Sequence, residues 1–195
     1  MTGLRDGGKG GDFMKKVLIV SSSPRRNGNT EMLCEQFAKG ALEAGNEVER
    51  INVNDKKIGY CIDCEVCRNN NGKCVIKDDA EEVIGKMITC GVLVLSTPIY
   101  FYSITAQLKT LIDRSFAREH EIREMDEKPV YYILSCAAPA PEYMDTAIAG
   151  LDGYIKCLRT MKVAGIVRGT GAMPAGAVAA SPAMRVAYEM GKGIQ

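Results

Sequence analysis

Three stretches of this 195-residue chain carry side chains whose types and spacing could do chemistry. The first is Ser21-Ser22-Ser23-Pro24-Arg25-Arg26-Asn27-Gly28-Asn29-Thr30, where hydroxyls, guanidinium groups and amides stand just before a helical pattern. The first backbone N–H groups of a helix lack intrahelical acceptors and carry the positive end of its dipole, so such a start suits a phosphate. A turn holding only water would use the same Ser, Asn and Gly residues; the two arginines favour an anion. The second stretch, Thr97-Pro98-Ile99-Tyr100-Phe101-Tyr102-Ser103, offers groups able to lie against a flat ring. Three consecutive aromatics cannot all face one core, so at least one is expected in the open. The third is Cys61, Cys64, Cys67 and Cys74, a C-x2-C-x2-C-x6-C spacing in a loop rich in Asn and Gly. A 4Fe–4S cluster fits that spacing, as do a four-thiolate zinc site and structural or redox-active thiols without metal. Cys34, Cys90, Cys136 and Cys157 fall in helices, strands or strand ends and read mostly as small core residues. His120, the single histidine, stands among Glu and Arg and reads as solvated.

The elements that must position these residues follow from periodicity. Lys15 to Ser21 reads as a buried strand, and Leu33, Phe37, Ala41 and Ala44 mark a helix from Thr30 that Gly45 stops. Asn46 to Val53 reads as an edge strand, and Lys56 to Lys77 as a functional or disordered loop. Asp78 heads the next helix with a capping-box partner at Glu81, and the Val-Leu-Val-Leu run within Gly91 to Ser96 is a central parallel strand. A helix follows on Ile104, Leu108, Leu111, Ile112 and Phe116, with Lys109, Asp113 and Arg114 on its polar side. Arg118 to Lys128 reads as a charged surface connection. Then come a strand at Val130 to Ser135, a helix over Met144 to Leu158, a strand at Met161 to Val167 and a Gly-rich loop from Gly169 to Ala180. A closing helix starts with Ser181 as N-cap and Pro182 at its first position.

Strands alternating with helices predict an α/β fold, a flavodoxin-like three-layer sandwich with a five-stranded parallel sheet in the order 2-1-3-4-5. In that order the first and third strands are neighbours whose outgoing helices leave on opposite faces, so ligands enter the crevice at their carboxyl ends. The Ser21 and Thr97 loops line it, one with phosphate donors and the other with apolar and aromatic groups, which describes a site for FMN. No G-x-x-x-x-G-K-[ST] loop is present, which excludes a P-loop kinase or GTPase. Gly169-Thr170-Gly171 follows the last strand and has Pro174 in place of a third dinucleotide-site glycine, so NAD(P)H is expected only as a transient donor at the flavin face. With 25 Lys+Arg against 24 Asp+Glu, the net charge of +1 gives no general attraction for nucleic acid or an anionic membrane. No apolar run is long enough to span a bilayer, and Met1 to Phe13 carries glycines and charges instead of a signal sequence. The expectation is a cytoplasmic protein with reduced cysteines, a flexible leader over 1–13 and one domain over 14–195.

In order, the Ser21–Thr30 stretch, Cys61 to Asp79, and Thr97 to Lys109 with its Ile104-Thr105-Ala106-Gln107-Leu108-Lys109 continuation resemble the NADPH-dependent FMN reductase family. The likeness is to its branch related to iron-sulfur flavoproteins and spans roughly residues 15 to 118. The glycine-rich segment which that branch carries after its fourth strand is replaced here by Cys136-Ala137-Ala138-Pro139-Ala140-Pro141. The resemblance implies tightly bound FMN and a homodimer or homotetramer in which a neighbouring subunit helps cover the flavin. By motif position it assigns Ser21, Ser23, Arg25, Asn29 and Thr30 to the phosphate. It assigns Pro98, Ile99, Tyr100 and Phe101 to the isoalloxazine and Ser135, Cys136 and Ala137 to a third flavin loop. The expected function is an oxidoreductase that takes electrons from NAD(P)H or a reduced protein carrier to a quinone, flavin or other small acceptor, with no side chain named as catalytic. Its rival is a non-enzymatic flavin and iron-sulfur electron carrier or redox sensor, and a flavin-free interaction domain is a third reading.

Overall fold

The apolar runs Val17-Leu18-Ile19-Val20 and Val92-Leu93-Val94-Leu95 are continuous because successive residues point to opposite faces of a sheet that is covered on both sides. The computed structural model describes residues 14–195, and the leader expected over 1–13 lies outside them. The strands are β1 (Lys16–Ser21), β2 (Glu47–Asn52), β3 (Val92–Pro98), β4 (Lys128–Ser135) and β5 (Met161–Gly169). The helices are α1 (Asn29–Glu43), α2 (Ala80–Thr89), α3 (Ala106–Arg114), α4 (Glu119–Glu124), α5 (Asp145–Leu158) and α6 (Pro182–Lys192). All strand pairs are parallel and the order is β2-β1-β3-β4-β5, as the alternation of elements predicts. This is the flavodoxin-like arrangement.

Val17, Ile19, Val92 and Val94 pack with Leu33 and Phe37 of α1 and Ala183 and Ala187 of α6 on one face. Leu18, Val20, Leu93 and Leu95 pack with α2, α3, α4 and α5 on the other. The helices leaving β1 and β3 therefore part to opposite faces, which opens a crevice at the strands' carboxyl ends. On the first face α1 and α6 touch backbone to backbone. A Cβ on Gly191 would stand 2.0 Å from Phe37 O, and one on Gly40 would stand 2.1 Å from Tyr188 O. Only glycine fits either position.

Several local readings change. Arg118 to Lys128 is not merely a surface connection: it contains α4, whose Ile122 is fully buried on the α2–α5 face. One apolar residue in a single helical turn leaves no period to read. Lys128, at the start of β4, is also buried, and its Nζ donates to Met87 O (3.0 Å), Ile88 O (2.6 Å) and Cys90 O (2.6 Å). It thereby satisfies the orphan carbonyls ending α2. At the other end of α2, Asp79 precedes the helix without a side-chain cap, while Asp78 accepts from Ala80 N (3.1 Å) and turns to a buried partner described below. Ser181 precedes α6 with Pro182 behind it, yet its buried Oγ makes no capping bond. Gly45 has the left-handed φ of +85° expected where α1 ends. Among the described residues no helix is long and apolar enough to cross a membrane.

Replacing Gly191 by Ala should lower stability by about 3 kcal/mol, because the added methyl meets backbone that cannot rotate away. Urea unfolding should show a lower midpoint at unchanged slope.

Candidate functional site

Serine and threonine side chains end strands well because their hydroxyls bond to nearby backbone, and here they join three loops. Ser22 N and Oγ both donate to Ser96 O, at 3.0 and 2.9 Å. Thr105, the N-cap of α3, donates from Oγ1 to Ser22 Oγ (2.8 Å), and its N–H reaches Thr97 Oγ1 (3.1 Å). The loop after β1 is thus bonded to the loop after β3 through buried hydroxyls. Thr30 Oγ1 and Ser135 Oγ lie 2.6 Å apart, which ties the first turn of α1 to the end of β4.

These bonds bring Ser23, Arg25, Asn29 and Thr30 together with Pro98, Ile99 and Tyr100 and with Ser135, Cys136 and Ala137. All line one cleft of about 260 Å3, with Ala172 and Met173 from the loop after β5. The start of α1 has no side-chain cap, and Met32 is the first residue whose N–H finds an acceptor in the turn behind it, at Gly28 O (3.0 Å). The N–H groups of the first turn are thus left to whatever occupies the cleft. Arg25 lines the cleft and reaches Met173 O (3.2 Å) through one guanidinium nitrogen, whereas Arg26 pairs with Asp55.

Asn29 lines the cleft but uses its amide elsewhere. Its Nδ2 donates to Ala172 O (2.8 Å) and Pro174 O (2.7 Å), and its Oδ1 accepts from Val178 N (3.1 Å). It holds the loop after β5 against α1, and only its backbone is free for an anion. Two residues assigned by resemblance lie outside the cleft lining. Ser21 has a buried Oγ without a partner, and Phe101 is fully exposed. Phe101 (φ 48°) and Tyr102 (φ 63°) form the corner of a turn closed by Tyr100 N to Ser103 O and Ser103 N to Tyr100 O, each 3.0 Å. Left-handed backbone at two aromatic residues is strained, and such strain collects at binding sites. Burial pushes the Cys136 thiol pKa up, and its Sγ lies 3.3 Å from Ala138 O, so it stands in the third loop as a neutral group.

The cysteine loop lies beside α3. Cys61, Cys64, Cys67 and Cys74 all line one narrow cavity of about 20 Å3 with Arg114, Phe116 and Ala117. That is room for about one water molecule. Among the described residues no three of His, Cys, Asp or Glu stand close enough to grip a single ion; the four thiols ring a space instead. All eight cysteines are free, and Cys157, read as core, is exposed on α5. Asp63, Glu65 and Asn71 take left-handed φ values, as does Gly72, where a Cβ would meet His120 Cε1 at 2.6 Å. His120 itself is exposed and packs under this loop.

Arg114 overturns the reading that puts it on a polar helix side: it is 3% exposed. Its NH1 donates to Gly59 O (2.7 Å) and Asp78 Oδ2 (2.6 Å), and its NH2 to Ile76 O (3.2 Å) and Asp78 Oδ1 (3.0 Å). One side chain holds both ends of the loop. Burial works against each charge, but Arg114 and the Gly59 and Ala80 amides bring the Asp78 carboxyl below its ordinary value. Asp78 in turn, helped by Cys74, raises the guanidinium above its own. Nothing in the sequence links positions 36 residues apart, so this pair had no signal to find.

Residues 15–184 match the model of the NADPH-dependent FMN reductase family. The chain belongs to that family. Among relatives of this family member, an iron-sulfur flavoprotein of Methanocaldococcus jannaschii is 42% identical over 100 residues, covering 51% of this chain and 51% of the relative. An iron-sulfur flavoprotein of Archaeoglobus fulgidus is 34% identical over 105 residues, covering 54% of this chain and 47% of the relative. The chain thus spans about half the length of the curated relatives it matches. Among solved structures, an azoreductase from Bacillus anthracis superposes on this reductase-family chain with a TM-score of 0.74 at 15% identity, covering 93% of this chain and 100% of the other. That likeness shows the shared fold.

Asp78→Asn should destabilise the protein by about 3 kcal/mol at neutral pH, since it leaves a buried guanidinium without its charge. Because folding lowers the Asp78 pKa, the contribution is complete above the ordinary value of 3.8 and disappears as pH falls through the lowered one. Urea unfolding of wild type and Asp78→Asn should therefore differ most at pH 5–7 and converge only below about pH 4.

Proposed function

We propose that the cleft at the carboxyl end of the sheet holds FMN and that the protein is a flavin-dependent oxidoreductase. It would pass electrons from NAD(P)H or a reduced protein carrier to a quinone, flavin or other small acceptor. The observation that carries this reading is one cleft bordered by the uncapped start of α1, Arg25 and Thr30 on one side and Pro98, Ile99 and Tyr100 on the other. An uncapped helix start beside a guanidinium answers a phosphate monoester. The apolar wall answers a flat heterocycle. Membership of a family described by FMN reduction supports the same cofactor. When bound, the flavin supplies the hydride and one-electron chemistry. Ser23, Arg25, Thr30 and the first-turn amides hold the phosphate, Thr30 being fixed by Ser135. Pro98, Ile99 and Tyr100 would lie against the ring, and the neutral Cys136 and Ala137 would line the site without adding charge.

A groove of about 930 Å3 supports a place for donor, acceptor or a second subunit beside this site. Ser103 and Ile104 line it near the aromatic turn, Cys61 lines it at the cysteine loop, and Gly150 and Gly153 line it on α5. The exposed rings of Tyr100, Phe101 and Tyr102 favour the homodimer or homotetramer that the resemblance implies, with a partner covering the flavin.

The second reading, a flavin and iron-sulfur electron carrier or sensor, is favoured by the four thiols around one cavity and by the relatives' name. Four thiolates are the donor set of a 4Fe–4S cluster, and the cavity has to widen to take one; Cys61 and Cys64 are exposed.

FMN titration by fluorescence quenching should show tight binding, weakened about 10-fold in Arg25→Ala through loss of one charge-assisted contact. Steady-state oxidation of NADH or NADPH with a quinone acceptor decides between enzyme and carrier. FMN-loaded protein without turnover on any small acceptor overturns the enzyme.

A further inference from the structure

A guanidinium has five N–H groups. Four of those on Arg114 are used, two on Gly59 O and Ile76 O and two on the carboxylate of Asp78. The fifth, on Nε, has no partner although the side chain is only 2% exposed. A buried donor left without a partner is costly, and one aimed at a site is a reason to look for its acceptor. Arg114 lines the same cavity as Cys61, Cys64, Cys67 and Cys74.

We infer that Arg114 is the positioning residue of a thiolate-bound metal centre in this loop, four of its N–H groups pinning the loop's ends and the fifth reserved for a cysteine sulfur of the cavity they share. This rests on the cysteine reading above and adds to it a residue outside the cysteine motif. A cysteine thiol is a weak acceptor, and Nε is unsatisfied. A metal-bound thiolate is a charged acceptor, and the N–H then bonds to it. Hydrogen bonds to cluster sulfurs favour the reduced, more negative state and raise the reduction potential. The same bond ties metal loading to the Gly59, Ile76 and Asp78 contacts, because one rigid planar group makes all of them. Lysine would keep the charge without the fork or the Nε donor.

The test uses the full FMN-loaded chain, reconstituted anaerobically with ferrous iron and sulfide, as wild type, Arg114→Lys and Asp78→Asn. Wild type is expected to take up iron and sulfide in matching amounts. Arg114→Lys should bind FMN as wild type does, lose iron to a chelator about 10–100-fold faster and show a more negative cluster midpoint potential. Asp78→Asn, which keeps Nε–H, should lose urea stability with a smaller shift of potential. An Arg114→Lys cluster with the wild-type potential and rate of iron loss overturns the inference. Should Arg114→Lys not fold, wild type with 15N-labelled arginine gives the answer by NMR: one Nε–H signal should shift and exchange more slowly on loading, and no response from any arginine Nε–H overturns the inference. Wild type that takes up no iron fails the cysteine reading itself, a result distinct from a loaded protein indifferent to Arg114.

Discussion

Neighbouring parallel strands whose outgoing chains part to opposite faces leave a gap, and that gap has to be both open and rigid to be useful. Here β1 and β3 make it, and a chain of buried hydroxyls keeps it in shape. Ser22 is bonded to Ser96 O and to Thr105, and Thr105 to Thr97. Buried polar groups in so dry a place are costly unless every member is satisfied, and a satisfied network fixes geometry more tightly than apolar contact does. The two loops that border the cleft are therefore parts of one assembly.

The rest of the cleft is held from a distance. Asn29 spends its side-chain amide on Ala172, Pro174 and Val178, so the last loop of the chain closes over the first turn of α1. That arrangement depends on the backbone contact of α1 with α6 at Gly40 and Gly191, which sets how near the C-terminal segment can come. Residues far from the cleft in sequence thus decide whether Ala172 and Met173 can line it.

The cysteine loop is mounted differently. It has few buried apolar side chains of its own, several residues in left-handed conformations, and one buried arginine at its base. Few apolar contacts hold the tip of such a loop, whereas four hydrogen bonds hold its ends. The groove that Cys61 and Ser103 both line brings this loop next to the aromatic turn.

Unbroken aliphatic runs marked the central strands β1 and β3, because burial on both faces writes itself into consecutive residues, and the alternation of strands with helices implied the parallel order and the two loops that meet at the crevice. That Ser23, Arg25 and Thr30 would meet Pro98, Ile99 and Tyr100 at one cleft followed from the same strands, since the first three lie between β1 and the first turn of α1 and the others at the end of β3. Arg114 looked like a solvent residue at the end of an amphipathic helix, Asn29 looked like a phosphate ligand, and Ile122 left no period in a run of charges. Their roles depend on atoms 36, 143 and more positions away, brought near by packing alone. Local pattern records which face of its own element a residue occupies; which partner that face meets was decided only when the helices and loops were laid against the sheet.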